Sequence, residues 1–111
     1  MINDTKQTAA YKVYFSVVDK RGVTCHDIID CVKKLPHLYV TTACRDAAKK
    51  GDEYLTLMLI EIAHERKEPF AASSAMIAAY EYDHDELYKT IKQIYFKNQR
   101  ETRVFTVGEL L

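Results

Sequence analysis

Residues 8–18 read TAAYKVYFSVV, and whether they coil or extend decides the fold. Ala10, Val13, Tyr14, Val17 and Val18 recur at the spacing that gathers side chains on one side of a helix. The same run is rich in β-branched and aromatic residues, and Val13, Phe15 and Val17 alternate as in a strand. The pattern test favours a helix, closed by Asp19-Lys20-Arg21-Gly22, where Gly22 can take the left-handed cap conformation. A strand over residues 10–18 paired with residues 103–107 would instead make the fold α+β.

Downstream the helical signals are stronger. Thr24 reads as an N-cap with Asp27 completing a capping box, and Ile28, Val32 and Leu35 form the buried stripe of the helix that follows. Pro36 stops that helix. A further helix spans residues 41–50 and ends at Gly51; Asp52 caps the next, which runs to Glu65. In this fourth helix Leu55, Met58, Leu59, Ile62 and Ala63 share a face, whereas Leu57 and Ile60 lie off it. Such a helix is sandwiched between neighbours or forms part of an interface. Residues 65–69, ERKEP, are a loop. Pro69 and Phe70 then open a helix of small residues that lets a neighbour approach closely. Asp83 begins the last helix, to about residue 98, with Leu87, Ile91, Ile94 and Tyr95 as its apolar face.

The expectation is therefore one all-α domain over residues 1–111: five to six short helices arranged as consecutive helical hairpins, with residues 1–7 and 108–111 as candidate disordered ends. The chain's 111 residues, 48% hydrophobic and 29% charged, match a folded domain large enough to hold a core without disulfides or metal. Three cysteines, Cys25, Cys31 and Cys44, read as reduced core thiols. Neither a signal-peptide core nor a stretch of about 20 apolar residues occurs. The chain is placed in the cytoplasm, or in a host cytosol if it is viral or an effector, with no membrane contact. Sixteen basic and sixteen acidic side chains cancel, which argues against a dedicated nucleic-acid binder.

Two stretches can be superposed. TACRDAAKKGDEYLTLMLI begins at Thr42 and SAMIAAYEYDHDELYKTIK at Ser74, an offset of about 32 residues. Each reads as a small-residue helix, a tight turn and a larger apolar helix, and residues 10–35 form a looser third hairpin. The run AAKKGDEYL, and DHDEL with His84 and Glu86, resemble the alanine pair, turn and second helix of the ankyrin repeat. The Thr-Pro-Leu-His start and the Gly-Ala-Asp-Val-Asn loop of that family are missing, and the resemblance covers about half the chain. It implies a protein-binding scaffold without chemistry of its own.

Tests for chemistry return little. Glu61 and His64 have the Glu-x-x-His spacing of di-iron bundles, but no second pair accompanies them. Cys25 and Cys31 fall about 240° apart around one helix and cannot easily share a zinc ion. Cys25, beside His26 at a helix N-terminus, is the best nucleophile candidate, since that position lowers a thiol pKa. Three glycines in the whole chain could hardly build a phosphate loop. No catalytic residue, cofactor or metal is assigned, and the chain is read as a non-enzyme.

The leading expectation is a protein-interaction module, adaptor or regulator that binds a protein partner, with self-association included. Its surface is assigned to Leu57, Ile60, Tyr80, Tyr82 and Tyr88, because tyrosine is enriched in interface cores. A basic strip, Lys89, Lys92, Lys97, Arg100 and Arg103, is the alternative contact for nucleic acid or an acidic partner. It goes with a helix-turn-helix reading in which residues 20–24 are the turn and residues 25–35 the second helix.

Overall fold

The computed structural model describes the backbone of residues 2–96 and the side chains of residues 8–96. Six helices follow one another: α1 (Ile2–Val18), α2 (Cys25–Lys33), α3 (Val40–Lys49), α4 (Glu53–Glu65), α5 (Ala71–Glu81) and α6 (Asp85–Tyr95). No strand occurs among the described residues, and the fold is all-α. Residues 10–18 lie within α1, which removes the α+β alternative. The other half of that pairing, residues 103–107, lies outside the described residues, as do residues 108–111.

As a helix, α1 turns one side of the run into the core. Tyr14 and Ala10, four apart, are buried, with Tyr11 and Val18 packed beside them. Val13, expected in the stripe, stands 47% exposed, since the buried face turns toward Tyr11 instead. The helix begins at Ile2.

The helices pair in sequence, α1 with α2, α3 with α4 and α5 with α6. The most extensive contact joins consecutive hairpins, α3 against α5. Both helices bury alanines, Ala43, Ala47 and Ala48 in α3 and Ala71, Ala75, Ala78 and Ala79 in α5. Small side chains at a contact bring helix axes close together. Helix α4 packs against α2, α3 and α5, which explains its apolar residues on more than one side. Leu55, Leu59, Ile60, Ile62 and Ala63 are all buried, and the Thr56 hydroxyl, also buried, donates to the Asp52 carbonyl at 2.6 Å.

Local signals set most boundaries. Thr24 and Asp27 form a reciprocal capping box, 3.1 Å in each direction. Asp52 accepts from the Leu55 N–H at 3.1 Å. Helix α6 differs from expectation: Asp83 does not cap it but holds φ 64, and the capping position falls to His84 without a side-chain cap. Asp83 thereby closes α5 as Gly51, at φ 75, closes α3. The hydrogen bonds match as well. Asp52 N–H donates to Ala47 O at 3.2 Å, and His84 N–H to Ala79 O at 2.8 Å. In both turns the chain leaves its helix by a left-handed residue, which satisfies a carbonyl of the last turn.

Candidate interaction surface

The alternating directions of α1 to α6 create two ends. The connections 19–24, 50–52 and 82–84 lie at one, and residues 34–39 and 66–70 at the other. These ends are built from different chemistry.

At the second end a pair of charged residues clamps three helices. The Arg66 guanidinium donates to Val32 O at 2.9 Å, Leu35 O at 2.9 Å and Leu38 O at 3.2 Å. Val32 O and Leu35 O also accept backbone N–H groups, from Leu35 and Leu38, so the guanidinium adds a second donor to each and ties α2 and its exit turn to the end of α4. Two residues later, Glu68 turns into the protein and is buried. One carboxylate oxygen accepts from Val40 N–H at 2.9 Å; the other accepts from Thr41 N–H and Thr41 Oγ1, both at 2.7 Å. Glu68 therefore serves as the N-terminal cap of α3, where Tyr39 supplies no side-chain bond. The carboxylate also opposes the positive end of the helix dipole. Lys67 between them sits at φ 66, the left-handed position that ends α4. Sequence reading saw only a polar loop here. Nothing local identifies Arg66 and Glu68, because their partners lie 27 to 34 residues away.

The first end is stitched more lightly and shows aromatic rings to solvent. His84 Nε2 lies 2.9 Å from Lys49 O. A carbonyl only accepts, so Nε2 carries the proton. The imidazole lies over Gly51 so closely that a Cβ there would come within 2.7 Å of the ring. Around this contact Tyr80 is 65% exposed, Tyr82 50% and Tyr54 54%. Tyr80 meets Tyr88 at a ring separation of 5.6 Å, Lys92 lies over Tyr88 at 5.7 Å, and Lys49 lies over Tyr82 at 5.6 Å. The ammonium groups are attracted by the ring faces and hold the rings in place.

The residues assigned from sequence are thus divided. Tyr80 and the half-buried Tyr88 meet ring to ring, whereas Tyr82 lies on the same turn but pairs with Lys49. Ile60 is fully buried in the core and has no surface to offer, and Leu57 packs half-buried against that core. Helix α4 uses both within the fold, because three neighbours cover it. In the basic strip, Lys89 is exposed and Lys92 is committed to Tyr88, while Lys97, Arg100 and Arg103 lie outside the described residues. Ile94, expected in the core, is 55% exposed. The exposed positions of α2 include His26, Asp27, Asp30 and Lys33, a mixed face.

Other candidates serve packing. The Tyr95 hydroxyl donates to Glu61, and the His64 ring meets Tyr95 edge-on at 5.4 Å, so the Glu-x-x-His pair joins α4 to α6. The Cys25 thiol donates to Asp52 Oδ2 at 3.4 Å. Burial first, and the Asp52 carboxylate second, push that thiol's pKa up, the reverse of the expected helix-terminus effect. The three cysteines are free, with Cys44 buried and its thiol pushed up by burial. Among the described residues, no group of three or more His, Cys, Asp or Glu side chains could hold a metal ion, and no helix is long and apolar enough to cross a membrane. No family model matches this chain, and neither a curated protein nor a solved structure matches it.

Proposed function

We propose that this chain is a protein-interaction module, acting in the cytoplasm without a reaction of its own, and that the aromatic end of its hairpins meets the partner. The observation that carries this reading is the exposed aromatic turn itself: Tyr80 in ring contact with Tyr88, and Tyr82 under Lys49, at the end that the His84–Gly51 contact holds. Tyrosines presented on rigid turns offer contact area and a hydroxyl at small entropic cost. The matching turns at Gly51 and Asp83, 32 residues apart, support an ankyrin-like reading of the two hairpins. Reduced thiols suit the compartment.

The test is affinity capture from the source cells with the intact chain and with Tyr82→Ala. Tyr82 is half exposed and outside the core, so the variant keeps the fold. A specific protein retained by the parent and lost by Tyr82→Ala is the expected result. An unchanged set of captured proteins would overturn the assignment of this end.

A further inference from the structure

Helix α5 packs its alanines inward and leaves a second face outside. Phe70, Ser73, Ile77 and Tyr80 are spaced 3, 4 and 3 residues apart, the seam spacing of a helix that pairs with another. Phe70 is 64% exposed, Ile77 52% and Tyr80 65%, and Ser73 is half-buried. Isolated exposed apolar residues are ordinary, but three large ones in one seam form a patch.

We infer that this face binds the same face of a second copy of the chain, with the two α5 helices antiparallel. The inference deepens the reading as an interaction module by naming a partner, and it rests on that reading. The seam is symmetric about residue 75. A two-fold axis there sets Phe70 against the partner copy's residue 80 and Ser73 against its residue 77, each contact occurring twice. A self-complementary patch of this kind is what an isologous dimer requires. The small Ser73 leaves room for Ile77 to insert, and the aromatic pairs close both ends.

Charge selects the direction. Beyond Tyr80 stand Glu81, Asp83, Asp85 and Glu86, all exposed, whereas Lys67 is exposed beyond Phe70, with Glu65 the nearby exception. Parallel pairing would set two acidic turns side by side. Antiparallel pairing separates them and brings Glu81 toward the other copy's Lys67, twice over.

Sedimentation of the full chain over a roughly hundredfold concentration range tests the association, since a weak dimer follows mass action. The expected result is a weight-average mass rising from 12.8 kDa toward twice that, and held at the monomer value by Ile77→Lys. Circular dichroism checks that the variant remains folded. Orientation is read by oxidative cross-linking. A Ser73→Cys chain mixed with an Ile77→Cys chain should give severalfold more covalent dimer than either alone, above the background of the parent's own thiols. A strict monomer, or a dimer indifferent to Ile77→Lys, overturns the inference; cross-linking of Ser73→Cys with itself as efficiently as in the mixture overturns the antiparallel arrangement. A monomer that still captures a protein through Tyr82 removes this inference and leaves the interaction module standing.

Discussion

The two ends of the hairpins hold the same helices by opposite means. At one end, Arg66 and Glu68 make six hydrogen bonds in all to the backbone and hydroxyl groups of residues 32–41, with the carboxylate buried. At the other, one imidazole–carbonyl bond, a thiol–carboxylate bond from Cys25 to Asp52 and a glycine contact join adjacent turns, and Tyr80, Tyr82 and Tyr54 face water. The first arrangement spends its polar groups on the fold. The second leaves rings and hydroxyls for something else. Stability and binding should therefore separate when the two ends are changed one at a time.

The largest effect is expected from Glu68→Ala. It strips two backbone N–H groups and a hydroxyl of their acceptor at a buried helix start. Bonds to a charged group contribute about 1.5–3 kcal/mol each, with losses at one site far from additive, so a fall of about 3 kcal/mol or more in urea unfolding is anticipated. Arg66→Ala should follow at about 2 kcal/mol, since Val32 O and Leu35 O keep their backbone donors when the guanidinium is gone. If either change leaves the unfolding midpoint in place, the clamp is not what joins α2, α3 and the 66–70 loop.

Gly51→Ala lies between the two ends in size. The left-handed backbone alone costs an L-residue about 1–2 kcal/mol, and the new methyl must also displace the His84 ring. His84→Ala removes one hydrogen bond and should cost about 1 kcal/mol. The pair sharpens the comparison: in His84→Ala the steric part of the Gly51→Ala penalty should vanish, so the double variant should be less destabilised than the sum of the singles. Smallest of all, Tyr82→Ala should move stability by no more than about 0.5 kcal/mol, as exposed positions usually do. A loss there as large as that of Glu68→Ala would erase the distinction between a holding end and a presenting end.

The helical character of α2 to α6 was legible because its determinants are local. A capping box at Thr24 and Asp27, a side-chain cap at Asp52 and a left-handed Gly51 each act within a few residues. Asp83 misled for a similar reason. Aspartate is both a good N-cap and a residue that tolerates the left-handed region, and composition alone does not say which role it takes. The candidate surface was partly legible. Tyr80 and Tyr88 meet because a turn brings their helices together, whereas Ile60 is core, since one helix considered alone cannot reveal how many neighbours surround it. Arg66 and Glu68 escaped notice entirely. A charged loop reads as solvated until the groups it caps are known.

By itself, then, the amino-acid order determined that the described chain coils into short helices with sharp turns between them, because helix spacing, caps and left-handed stops work over three to five residues. The ambiguous run at residues 8–18 was decided by packing, which buries Ala10 and Tyr14, one helical turn apart, in the core. Packing also decided that α3 and α5 meet through alanines, that Ile60 is core and that Glu68 caps a helix 27 residues before it. Each of these depends on which elements become neighbours. That is a property of the whole folded chain, set by close approach and by the requirement that buried polar groups find partners.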